Sequence, residues 1–140
     1  MANKERQYLT PFAELIDRLT VDQIKEVLIT EHKKSFAKEM EKLAHDIDLI
    51  IEERGLKLSA RLIRIIIAIA QMNLHVWQNK DQMQKDPENY TDLLKLSHQL
   101  NGIRNQMKNL LLEETGDREK SDQRTNFDTD GLEGWDVSIK

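Results

Sequence analysis

Asn73, Trp77 and Asp81 stand four residues apart in the most hydrophobic stretch of the chain, on the helix side that also carries Leu62, Ile66 and Ile69. A neutral amide in an apolar stripe costs stability unless it is hydrogen-bonded, so Asn73 needs a designated partner. The matching sequence is His98-Gln-Leu-Asn101-Gly-Ile-Arg104-Asn105, followed by Lys108. With Asn101 as reference, His98, Arg104, Asn105 and Lys108 project within about 60° of it on a helix. That strip holds no carboxylate, in a chain with 33% charged residues. Amides and fixed cations suit a small anionic or polyhydroxyl ligand, because a guanidinium binds phosphate or carboxylate through two hydrogen bonds. Trp77 would add an aromatic face for a sugar or base. Together these are the parts of a sugar-phosphate or nucleotide-sugar site. The same residues also compose an internal network, with an Asp81–Arg104 ion pair flanked by Asn73 and Asn101 and Trp77 filling the core. No nucleophile–base pair accompanies the strip, so binding rather than reaction is the expectation.

The elements that must hold these residues are helices. Thr10-Pro11 reads as a cap and first helical position, and Phe12, Leu15, Ile16 and Leu19 form one apolar face. Thr20 and Gln23 have capping-box spacing, which starts a second helix containing Ile24, Val27, Leu28, Phe36, Met40, Leu43, Ile47, Ile50 and Ile51 and ending at Gly55. Ser59 caps a third helix, Asp86-Pro87 begins a fourth, and Gly116 stops it. The spacing predicts helices near 11–19, 21–54, 60–84 and 87–114. No segment reads as a period-two strand. The expected fold is all-α: an antiparallel bundle of three long helices, with a short N-terminal helix packed across them and a disordered C-terminal tail. The bundle domain takes residues 1–116 and a flexible acidic tail residues 117–140.

Composition narrows the function classes. The chain has 140 residues, suited to one core, and no cysteine, so no disulfide framework. The tail carries four basic and seven acidic residues, a balance of −3 out of the whole chain's −4. A nearly neutral body without a basic stripe makes nucleic acid an unexpected partner. No uncharged apolar run reaches about eighteen residues, so no membrane span is expected. The N-terminus is polar rather than signal-like, and a cytoplasmic location follows. Phe127, Leu132, Trp135 and Ile139 are spaced too widely for a helical core face, so deleting residues 118–140 is expected to change the melting temperature little. A protein partner reached through the tail, and a second copy of the chain, are the remaining candidates for association.

Other chemistry is thinner. His45-Asp46 resembles the His-Asp pair of the HD-type metal phosphohydrolases, with His32 and Asp81 as nominal further ligands. His32 precedes His45 closely for that fold, and His45 points away from the apolar seam. His32, Glu39, Asp46 and Glu53 recur every seven residues, as charged flanks of a seam ordinarily do. Asp128-Thr-Asp130-Gly131 has too few ligands for a calcium loop. No Glu-x-x-His pair, phosphate loop or nucleophile elbow occurs, and neither metal nor cofactor is called for.

Three segments taken in order carry a resemblance: Glu14-Leu-Ile-Asp17-Arg-Leu-Thr20 with Ile24-Lys25, Asn73-x-x-x-Trp77-x-x-x-Asp81, and Asn101-x-x-Arg104-x-x-x-Lys108. Over roughly residues 11–116 the chain resembles a family of small helical bacterial proteins, without an established activity, often encoded among surface-polysaccharide genes. It departs from the family pattern at Lys80 and Gln84, where an acidic residue and an arginine are usual. The resemblance implies a shared polar core that adds Glu14 and Asp17 to the residues above, and a glycan-biosynthesis setting. Three function classes follow. The first is an accessory protein binding a ligand in the polar cluster. The second is a structural or assembly protein whose cluster only fixes helix packing. The third is an enzyme, HD-like or of another kind.

Overall fold

The computed structural model describes residues 4–116, 134, 135 and 137–139. It is an all-α bundle of four helices: α1 (Phe12–Leu28), α2 (Lys33–Arg54), α3 (Ala60–Lys85) and α4 (Tyr90–Glu114). A single 3-10 turn, Pro87–Asn89, leads into α4. The pairs Asp17–Arg104 and Glu14–Lys108 set α1 antiparallel to α4, Arg61–Glu114 and Asn79–Ser97 set α3 antiparallel to α4, and Arg18–Glu39 joins α1 to α2.

The N-terminal half departs from the expected division. Thr20 lies inside α1, not at a cap. Its hydroxyl donates to the Asp17 carbonyl at 2.7 Å, a back-bond that mid-helix threonines make, and Gln23 bonds Glu26 instead of reaching back to complete a box. The chain breaks later, where β-branched Val27, Ile29 and Thr30 weaken the helix and His32 takes a left-handed φ of 63°. The first helix is therefore long, and it is central. Of the other helices, α2 brings its backbone close to α1 alone, whereas α1 also packs on α3 and α4.

The ends at Gly55 and Ser59 follow their sequence signals, whereas Pro11 rather than Thr10 holds the cap position of α1 and Asp86-Pro87 opens the 3-10 turn ahead of α4. The Ser59 hydroxyl accepts from the Leu62 amide at 3.1 Å, and Gly55 closes α2 with φ 59°, a conformation that suits glycine. Phe12, Leu15, Leu43, Ile50, Ile65, Ile69 and Leu111 meet in one core, and Met72, Val76, Leu100 and Ile103 form a smaller one between α3 and α4. Burying side chains of this size contributes about 1.5–3 kcal/mol each, which is what holds the polar residues below in place.

The C-terminal end differs from expectation. Ile139 is buried in the main core, Trp135 and Val137 pack on the smaller one, and Arg64 donates to the Ser138 hydroxyl at 2.9 Å. Residues 117–133 lie outside the described residues, Phe127, Leu132 and the Asp128–Asp130 motif among them.

Candidate functional site

A charged network lies where α1 crosses α3 and α4. Asn73 donates from Nδ2 to the Asp17 carboxylate at 2.9 Å and to the Thr20 hydroxyl at 2.7 Å. Its carbonyl oxygen accepts from Arg104 at 3.3 Å. The Arg104 guanidinium also lies 3.9 Å from Asp17. One turn along α4, the Lys108 ammonium is 2.7 Å from Glu14 and 3.6 Å from Asp17, and Lys108 is only 1% exposed. Two carboxylates from α1 thus face two cations from α4, with Asn73 of α3 bonded to both helices. A buried charge is tolerable only when paired and hydrogen-bonded, and each of these four has an opposite charge within 4 Å.

Of the residues singled out in the sequence, Glu14, Asp17, Asn73, Arg104 and Lys108 come together. The expected Asp81–Arg104 pair does not form. Asp81 is exposed and binds Lys85 of its own helix at 2.9 Å. The reason is helical drift, since eight residues turn through about 800°, which leaves Asp81 about 80° off the line of Asn73. Trp77 and Asn101 are half-buried and His98 is exposed, and the bonds of the network run through none of the three. Asn105 is half-buried.

Three further polar positions were not singled out for these roles. Asn79 is buried and donates to the Leu93 carbonyl at 2.6 Å and the Ser97 hydroxyl at 2.7 Å, fastening α3 to α4. It falls on the buried line of Ile65, Met72 and Val76, so the helical period could have found it. Asp46 is wholly buried and accepts the backbone N–H groups of Gln7 and Tyr8 at 2.7 and 2.6 Å, while the His45 ring meets the Glu5 carbonyl at 2.8 Å. The His-Asp pair thus anchors the N-terminal segment. Asp22 of α1 faces Glu39 of α2; burial first, and that neighbouring carboxylate second, raise its pKa above the ordinary 3.8. Burial likewise pushes the Tyr8 phenol up, with Glu39 adding to it. Among the described residues no group of three histidines or carboxylates is arranged to hold a metal ion.

An open groove of about 670 Å³ runs beside the network between α1 and α3. Leu19, Ile24, Ile67, Ala70 and Leu74 make it mainly apolar, and Thr20 is the point where it meets the network. Such a lining offers little to a sugar phosphate. No helix among the described residues is long and apolar enough to cross a membrane. Compared with family models, characterised proteins and solved structures, the chain gives no match.

Proposed function

We propose that the chain is a non-catalytic accessory protein of the assembly type, in which the polar cluster fixes the packing of α1 on α3 and α4 and binding takes place on the surface. The observation that carries this reading is the mutual neutralisation of Glu14, Asp17, Arg104 and Lys108, with Lys108 1% exposed. A ligand phosphate would have to compete with Glu14 for Lys108 at 2.7 Å and with Asn73 and Asp17 beside Arg104 at 3.3 and 3.9 Å. The mainly apolar groove alongside gives the same direction. A cytoplasmic location and a setting in surface-polysaccharide biosynthesis belong to this proposal, and rest on the sequence and its resemblance.

Thermal denaturation tests it. Arg104→Ala should lower the melting temperature strongly, since it leaves Asp17 with one cation fewer and Asn73 with an unsatisfied carbonyl. Nucleotide-sugars, sugar phosphates and divalent metals should leave the wild-type transition where it is. A ligand at a hundred times its dissociation constant stabilises by about 2.7 kcal/mol. A shift of that size, abolished by Arg104→Ala without loss of stability, would restore the ligand reading and remove this one.

A further inference from the structure

The described C-terminal residues, Trp135 and Val137 to Ile139, lie along a groove between α3 and α4. Trp135 meets the His75 ring edge-on, with centroids 4.8 Å apart and planes at 87°. Val137 packs on the cluster of Met72, Val76, Leu100 and Ile103, and Ile139 enters the main core. Ser138, between them, is exposed and accepts from Arg64. From His75 back to Arg64 the helix climbs about 16 Å, so Trp135 and Ser138 meet α3 at successively earlier positions, and Trp135, Val137 and Ile139 pack inward where Ser138 is exposed. The segment therefore runs opposite to α3 with alternate side chains turned inward.

Beneath it, α3 and α4 are fastened by Asn79 to Leu93 and Ser97, by Asn73 to Arg104, and by Arg61 to Glu114. None of these bonds involves the segment, so α3 and α4 keep these ties whether or not it is seated. Seventeen residues, 117–133, join Gly116 to Gly134. Their contour, about 56 Å when extended, is more than twice the roughly 21 Å from the Arg61 end of α3 to the His75 end. The segment can leave the groove and stay attached.

We infer that this groove is a receptor for extended peptides carrying large apolar side chains at alternate positions, with Trp135-x-Val137-x-Ile139 as its resident ligand. The partner it takes is a protein whose extended segment has an aromatic residue followed by two branched aliphatic ones at the same spacing. His75 selects the aromatic, and the Met72–Ile103 cluster takes the first aliphatic. A ligand tethered on its own chain acts at an effective concentration on the order of millimolar, so the resident segment sets a threshold that the partner's peptide must exceed. This specifies the surface behind the assembly reading, on which it rests.

The chain has no cysteine, which permits a lock. In full-length protein carrying Arg64→Cys and Ser138→Cys, a short bis-maleimide ties the segment into its groove. A fluorescent peptide with the sequence of residues 131–140 is then titrated by anisotropy. The unlinked protein should bind it, and linking should weaken binding by about tenfold or more. Trp135→Ala/Ile139→Ala should bind the peptide more tightly than wild type. A peptide with serine at its three apolar positions should not bind. Absence of binding to the unlinked protein at millimolar peptide, or equal binding after linking, would overturn the inference. A cross-linked product of dimeric size would overturn the intramolecular seating of the segment. The Arg104 melting test reads a different part of the molecule, so either result can fail alone.

Discussion

Replacing Lys108 by methionine keeps an unbranched apolar stem and removes the ammonium, with its charge and its hydrogen-bond donors. The ammonium is 2.7 Å from Glu14 and 3.6 Å from Asp17. The Glu14 side chain is 33% exposed and can turn to water, whereas Asp17, at 11%, cannot. Asp17 retains Asn73 at 2.9 Å and the Arg104 guanidinium at 3.9 Å. One buried carboxylate therefore loses one of its two cations and keeps its amide donor. Breaking a buried pair by removing one partner costs about 3–5 kcal/mol. Because Asp17 is not left alone, the expected loss is near the lower end, about 3 kcal/mol. At about 3 °C per kcal/mol for a chain of this size, that lowers Tm by about 9 °C. Urea unfolding followed by circular dichroism measures it. Combining Lys108→Met with Asp17→Asn should cost less than the sum of the two single changes by at least about 1 kcal/mol. A single-mutant loss below about 1 kcal/mol, or strict additivity, would refute the claim that these charges hold α1 to α4.

Asn79→Ala removes the donor shared by the Leu93 carbonyl and the Ser97 hydroxyl and should cost about 1–3 kcal/mol in urea unfolding. Asp22→Asn should raise the urea midpoint near neutral pH: a raised folded pKa means the folded state holds that proton more tightly, so stability falls as pH climbs from 3.8 through the folded value. The gain should vanish below about pH 3.8, where Asp22 is protonated folded and unfolded alike. Ile139→Ala should cost about 2–5 kcal/mol, the range for truncating a buried isoleucine, and an unchanged melting curve would contradict its burial. Ile67→Gln, at a residue 58% exposed, should change stability by no more than about 0.5 kcal/mol.

The fold class was legible because helical period and caps are local. Ser59, Gly55 and the Leu100–Leu111 face are where their spacing puts them. The polar cluster was half legible. An asparagine on an apolar stripe announces a need for a partner but not which helix supplies it, and strict spacing by four overlooked the drift that carries Asp81 outward. Glu14 and Asp17 came from resemblance, since nothing in the α1 periodicity says that a carboxylate there faces a cation of α4. Thr20 misled because the same hydroxyl that caps a helix start can bond backward inside one. That the tail aromatics could dock on the bundle was legible from their type, but the period of the contact was not. Trp135, Val137 and Ile139 alternate, which is meaningless for a helix and correct for an extended chain in a groove.

The buried polar groups divide the fold into separately keyed joints. Asp46 fixes the N-terminal segment on α2, Asp17 and Glu14 set α1 against α4, Asn73 ties α3 to both, and Asn79 fastens α3 to α4 a second time. Apolar contacts alone would tolerate one helix sliding along another, because one isoleucine serves much like the next. These joints would not. A slip of α4 by one turn would move Lys108 and Arg104 about 5.4 Å along α1 and strand the buried charges of Lys108 and Asp17. Register is thereby fixed by groups that add little net stability. On the assembly reading proposed above, recognition would then fall to the grooves that the helices make between them.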